Sequence, residues 1–192
     1  MRTRKLQPEQ LERLYDVARS IHASLEPAEA LQWMVRESVK LVGASSGSLV
    51  LVNPNSGLLE IETAVGLPED GSNLALCLGE GITGWVVQHG VLLRVGDVTI
   101  DDRYVAARPN VRSELAVPVH LDDEVRAVLN VDSEQPDAFS ETDQLLLEEL
   151  ARHATQVIRN TWLYEQHRQR SELLRSLVSV GQTINSTLHL DD

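Results

Sequence analysis

The sequence predicts an α+β domain in which two antiparallel hairpins lie between amphipathic helices. Three observations predict it. Ser48 to Val52 and Leu58 to Val65 are strand-like runs separated by Asn53-Pro54-Asn55-Ser56-Gly57, a strong turn signal. Glu114 to Leu121 and Val125 to Asp132 repeat that arrangement around Asp122-Asp123. Apolar residues at three- and four-residue spacing precede the first hairpin and follow the second.

Taken in order, Leu11, Leu14, Val17, Ile21 and Leu25 share one helical face. Glu26-Pro27 interrupts the pattern, and Pro27 suits the first turn of a second helix. Leu31, Met34, Val35, Val39 and Val42 form the buried face of that helix, and Gly43 ends it. After the first hairpin, Gly66 to Leu78 reads as loop, Ile82 to His89 as a short helix closed by Gly90, and Val91 to Val95 as a short strand. Pro118, inside the third long run, predicts a sheet edge or a bulge. Ser140 is placed as a helix N-cap with Asp143 in the capping-box position. Leu147, Leu150, Ala154, Val157, Thr161 and Tyr164 alternate steps of three and four, the seam of a helix that packs on other helices. This stripe is the expected dimer and signalling helix.

Residues 165–172 read as an exposed helical spacer. Shifting the chain by 163 residues lays Leu11, Leu14, Val17, Ile21 and Leu25 on Leu174, Leu177, Val180, Ile184 and Leu188. Either two amphipathic helices align on their apolar positions, or a second copy of the same domain begins here. The second reading gives an extension over 1–10, a domain over 11–164, a spacer over 165–172 and the start of a repeat over 173–192.

Composition narrows the function classes. With 192 residues and 42% hydrophobic content, the chain can bury a core. A net charge of −12 opposes binding to a phosphate backbone, so no nucleic-acid partner is expected. No apolar run is long enough to cross a bilayer, and the N-terminal basic residues have no apolar run behind them. A cytoplasmic protein with no membrane partner is expected. The single Cys77 excludes an internal disulfide framework and a multi-cysteine zinc site.

Two short motifs imitate catalytic or nucleotide signatures. Gly79, Gly81 and Gly84 spell G-x-G-x-x-G, with Asp97 about where a dinucleotide fold keeps its ribose-binding acid. That mechanism needs a full-length helix and a βαβ crossover, whereas Gly90 stops this helix after about two turns. Gly43-Ala44-Ser45-Ser46-Gly47 spells G-x-S-x-G, but it leads from helix to strand, the reverse of a nucleophile elbow. The six histidines form no His-x-x-x-His pair, so no metal site is expected, although His89 and His120 can approach one cavity. Cys77 precedes the glycine motif, where its thiol is either a small apolar filler or a pocket-facing redox group.

The ordered series Gly79-Glu80-Gly81-Ile82-Thr83-Gly84-Trp85-Val86, Asp101-Asp102-Arg103-Tyr104, Arg112-Ser113-Glu114-Leu115-Ala116-Val117-Pro118-Val119, Val128-Leu129-Asn130-Val131-Asp132-Ser133 and Phe139-Ser140-Glu141-Thr142-Asp143 resembles a GAF domain. The resemblance spans roughly Leu11 to Tyr164. It implies a central antiparallel sheet with the first and last helices on one face and short helices and loops over a cavity on the other. It places Ile82, Trp85, Val86, the loop around Asp97 to Tyr104 and the strand from Arg112 to Val117 at that cavity. The candidate pocket is therefore Cys77, Ile82, Trp85, Val86, Asp97, Tyr104, Arg112, Ser113 and Leu115. Arg112 can instead pair with a carboxylate, and Trp85 can simply pack on the sheet.

Departures from relatives shape the expected ligand. The asparagine-lysine-phenylalanine motif of cyclic-nucleotide-binding GAF domains is absent, and Cys77 lacks the histidine neighbour of bilin-binding ones. Haem, bilin and cyclic nucleotide are therefore not expected, and the cofactor stays unassigned. Free methionine sulfoxide reductases, the catalytic relatives, use several cysteines for thiol exchange, against one here. The expected function is a non-catalytic sensory domain with a small-molecule ligand, within a larger signalling protein such as a sensor histidine kinase. It would form a homodimer through its terminal helices and relay a signal to a downstream output domain. A ligand-free homodimerisation module is the alternative, and Cys77 redox chemistry a third reading.

Overall fold

The computed structural model describes residues 27–68, 75–106 and 108–160. Of the two compact units of the chain, Met1–Val157 and Ile158–Asp192, the first contains the sheet. The expected helix over 11–25, the spacer over 165–172, the repeat over 173–192, and Thr161 and Tyr164 of the seam lie outside the described residues.

Helix α1, Pro27–Val42, starts at the expected proline and ends before Gly43. Its buried residues Leu31, Met34 and Val35 follow the expected spacing, and Ser38, one turn after Met34, donates its hydroxyl to Met34 O at 2.8 Å. Strands β1 (Ser46–Val52) and β2 (Leu59–Val65) form the first hairpin. A two-residue strand β3, Ala75–Leu76, pairs with the outer edge of β2 inside the stretch expected to be loop. Helix α2 spans Gly81–His89 and β4 spans Leu93–Val95. A 3-10 turn, Val98–Ile100, leads into the loop before β5 (Ser113–Leu121). Strands β5 and β6 (Glu124–Ser133) make the second hairpin. Asp122 and Asp123 both take positive φ, 52° and 68°, as a two-residue type I′ turn requires.

The six strands form one antiparallel sheet in the order β3-β2-β1-β6-β5-β4. Pro118 satisfies both readings of its position. Strand β4 pairs with β5 only as far as Ala116, so β5 is a free edge at Pro118, and a register shift follows at Val119/His120. Helix α3, described over 141–160, begins with the expected capping box. Asp143 Oδ2 accepts from Ser140 N at 2.8 Å, and Ser140 Oγ accepts from Asp143 N at 3.3 Å.

Strand alternation divides the sheet into two faces. Gly47, Leu49, Leu115, Val117, Leu129 and Val131 lie on the face that receives α1; Ser48, Val50, Glu114, Ala116, Val128, Asn130 and Asp132 lie on the other. Helix α2 packs on this second face through Ile82 and Val86, which join Val95, Val98, Val111, Ala116 and Val128 in one buried cluster. The class expected from sequence, an α+β fold with a central antiparallel sheet, the N- and C-terminal helices on one face and short helices and loops over a cavity on the other, is the class observed. Gly47 lets α1 approach. A Cβ there would stand 2.8 Å from Val39 Cγ2 and 2.9 Å from Asn130 O. Gly47→Ala is expected to cost about 1–3 kcal/mol of stability through overpacking, read as a lower urea midpoint at unchanged m-value.

One sequence expectation changes here. Leu147, Leu150 and Ala154 are fully buried and Val157 nearly so within a single chain. The seam stripe thus serves the chain's own core, and side chains already buried this way are not free to face a second copy.

Candidate functional site

A cavity of about 50 Å³ lies between the second face of the sheet, the start of α2 and the loop over 101–112. Its walls are apolar: Val50, Leu59, Ile61, Leu76, Ile82 and Val111. Its floor is polar, because Ser48, Glu114, Asn130 and Asp132 occupy alternate positions of β1, β5 and β6, and Tyr104 and Arg108 close it from the loop. Register brings the floor together: Glu114 pairs with Asp132, Asp132 with Ser46, and Asn130 with Ser48 and Ala116.

The floor is electrostatically uneven. Arg108 is engaged on all sides: Nε donates to Ser46 Oγ at 2.8 Å, Nη2 to Asp132 Oδ1 at 3.0 Å, and Nη1 to Glu134 Oε1 at 2.8 Å. Ser46 Oγ also donates to Asp132 Oδ1. Glu114 is only 6% exposed. Burial, with the nearby charges of Asp132 and Asp101, pushes its carboxyl up to about 8. Burial and the same acidic surroundings, Glu114 and Asp132, push the Tyr104 phenol up to about 12. Asn130 Oδ1 is buried with no partner, the one such side-chain atom among the described residues.

The rim is held by ion pairs. Asp97 caps the 3-10 turn by accepting from Thr99 N at 3.0 Å, and it pairs with Arg112 at 2.8 Å. The Arg112 guanidinium beside it holds its carboxyl well below the usual carboxylate range. Arg103 pairs with Asp101 at 2.6 Å and lies 5.0 Å over the Trp85 ring, which stacks on His89 at 4.1 Å between centroids. Loop and α2 are thereby fastened to each other outside the cavity.

The candidate residues read from sequence separate accordingly. Ile82 and Tyr104 line the cavity. Val86 is fully buried in the cluster beneath α2 instead of lining the cavity. Ser113 and Leu115 point to the opposite face of the sheet, since strand alternation sends Glu114 between them into the cavity. Ser113 Oγ instead donates to Gln135 O at 2.7 Å. Asp97 and Arg112 pair with each other, Trp85 packs between Arg103 and His89, and Cys77 is exposed. His89 and His120 are both exposed and outside the cavity lining. The glycine triplet is a backbone device: Gly79 and Gly81 take φ of 83° and 71°, and a Cβ on Gly84 would stand 2.7 Å from Cys77 O. Sequence reasoning missed Glu114, Asn130, Asp132 and Arg108. The signal for the first three was polar residues on alternate positions of otherwise apolar strands.

An antiparallel sheet with one face covered by a helix and the other roofed by a short helix and loop over a cavity defines an α+β fold with a built-in pocket. Residues 24–159 match the family model of the GAF domain, and the chain belongs to that family. Among solved structures, it is similar to the GAF domain of an Acinetobacter phosphoenolpyruvate-protein phosphotransferase, with 24% identity, TM-score 0.76, and 82% of this chain and 97% of that one covered. The free methionine-R-sulfoxide reductase from Neisseria meningitidis, solved in complex with its substrate, is 25% identical with TM-score 0.72, covering 81% and 93%. The corresponding domain from a Coxiella burnetii phosphotransferase is 20% identical with TM-score 0.74, covering 82% and 96%. The fold thus occurs both in domains of larger proteins and in an enzyme. Among the described residues, no helix is long and apolar enough to cross a membrane.

Proposed function

We propose that this chain is a non-catalytic sensory GAF domain that binds a small molecule within a multidomain, cytoplasmic signal-transduction protein. The observation that carries the reading is the cavity floor, where Asn130 Oδ1 is buried without a partner beside the buried acid Glu114. Buried polar groups without partners are costly, so a site that keeps them is built for something that supplies the missing bonds. A ligand there reaches β1, β5, β6, α2 and the loop bearing Arg108 together, and can bias them between two arrangements. Helix α3, separated from β6 by seven residues, is the route by which that bias would pass to an output domain such as a histidine kinase. A homodimer through the terminal helices belongs to the same reading, on faces other than the buried Leu147–Leu150 stripe.

A thermal-shift panel of nucleotides, amino acids, amines and small carboxylates tests the proposal. At least one class is expected to raise Tm saturably. A flat response across the panel would favour the ligand-free dimerisation module instead. Redox catalysis is set aside because Cys77 is the only cysteine and is exposed outside the cavity lining. No turnover of free methionine sulfoxide is expected, and measurable turnover lost on Cys77→Ser would reverse that assignment.

A further inference from the structure

We propose that the cavity takes a small primary ammonium, a short hydrocarbon chain whose –NH3⁺ group sits on the floor formed by Glu114, Asn130 and Asp132. The inference rests on the reading of the cavity as a ligand site and names the class of ligand. Three features select it.

The first is the balance of donors and acceptors. The unmet group at the floor is an acceptor, Asn130 Oδ1, and Glu114 and Asp132 beside it offer further acceptor oxygens once ionised. An ammonium brings three N–H donors and no acceptor, the inverse of what the floor offers. A hydroxyl brings one donor, and a carboxylate brings none.

The second is charge. Asp132 and Glu114 face each other across the β5–β6 pair, and Arg108 is the one cation among the described lining residues. Its guanidinium is already shared among Ser46, Asp132 and Glu134. Among the described residues, an anionic ligand would find no free cation and two acids beside it. A cationic one supplies the charge that Glu114 lacks, since an opposite charge at short range favours the ionised carboxyl.

The third is size and wall chemistry. At roughly 10–15 Å³ for each water-sized site, 50 Å³ holds about three to five heavy atoms. Val50, Leu59, Ile61, Leu76, Ile82 and Val111 surround that space with hydrocarbon, which suits an alkyl tail.

Binding then carries a proton signature. At neutral pH the buried Glu114 holds its proton, so docking an ammonium ionises it and passes one proton to the buffer. The charged and titratable groups facing Glu114 are Asp132 from β6 and Asp101, Tyr104 and Arg108 from the loop. The phenol and the guanidinium keep their protons at neutral pH.

The experiment compares four probes of five heavy atoms each, isobutylamine, glycine, propionate and isobutanol, by thermal shift and calorimetry at pH 7, in two buffers of different ionisation enthalpy. Isobutylamine or glycine is expected to bind saturably, raising Tm by about 3–5 °C at ten times Kd. The same ligand should release a proton and bind at least tenfold more weakly to Glu114→Gln, which keeps the shape and removes the charge. A preference for glycine would identify an amino acid as the source of the ammonium, and a preference for isobutylamine a simple amine. Tighter binding of propionate or isobutanol would overturn the ammonium inference while leaving the sensory reading intact. Unchanged affinity in Glu114→Gln would overturn it as well. Silence from all four probes would also overturn it, and the broader panel then decides the sensory reading separately.

Discussion

Replacing Leu150 by aspartate is expected to abolish the folded state at neutral pH, whatever the assembly the protein forms. The alternation of three- and four-residue steps through Leu147, Leu150, Ala154 and Val157 reads in sequence as a seam between two copies. In the structure Leu147, Leu150 and Ala154 have no exposed surface within one chain. Truncating such a leucine to alanine removes the apolar transfer energy and leaves a cavity, together about 2–5 kcal/mol. A carboxylate in its place adds the cost of an unpaired buried charge, several kcal/mol more. Against a total stability of about 5–15 kcal/mol, the sum is enough to unfold the domain. Circular dichroism should show loss of the cooperative transition in Leu150→Asp, with Leu150→Ala retaining a transition at a lower midpoint. A Leu150→Asp protein that keeps its native spectrum and midpoint but halves its mass by light scattering would restore the intermolecular seam.

The same residues show what was legible in the sequence. Periodicity records that a face is buried, and Leu31, Met34, Val35, Leu147 and Leu150 are buried as their spacing requires. It carries no information on whether the burying partner is the same chain or another. Hairpins were legible because Asn53-Pro54-Asn55-Ser56-Gly57 and Asp122-Asp123 have turn chemistry that few other conformations use. Strand β3 was not, since two residues are too few to show alternation. The site was legible by region but not by parity. In the run Ser113-Glu114-Leu115-Ala116-Val117, the choice of Ser113 and Leu115 selects one face, and the register with Asp132 and Asn130 shows that the cavity is on the other. Reading Asn130 and Asp132 as two polar residues two apart in an apolar strand would have fixed the face, because their partners Ala116 and Glu114 must follow them. Arg108 had no such signal. It comes from a loop, where no periodicity constrains direction, and its role depends on reaching Ser46 and Asp132 across the fold.

Between about pH 4.5 and pH 8 the ligand-free domain is expected to lose stability, and Glu114 is the principal cause. Its ordinary value is 4.5, and in the folded chain burial first, then the charges of Asp132 and Asp101, push it up to about 8. Below 4.5 both states hold the proton and Glu114 contributes no pH dependence. Above that the unfolded chain releases its proton while the folded chain keeps it, so the unfolded state binds fewer protons and stability falls as pH rises. The fall is complete near pH 8, where the folded carboxyl ionises as well. Over this window the loss is about 2–5 kcal/mol, the upper end being the full conversion at 1.36 kcal/mol per pH unit. Asp97 and Asp101 act in a different window. Arg112 and Arg103 hold them low, so their contribution is lost only as pH falls through the acid range. Glu148, also raised by burial, adds to the loss in the same direction in every variant and cancels in a comparison. Urea midpoints at pH 5 and pH 8 therefore isolate the effect: the wild-type midpoint drops between them, and Glu114→Gln removes most of that drop. An equal drop in both proteins would show that Glu114 titrates normally and that its surroundings hold water or a cation. A saturating ammonium ligand should reproduce the effect of Glu114→Gln in the wild-type protein. By stabilising the ionised carboxyl it lowers the folded value toward the unfolded one and flattens the same pH slope.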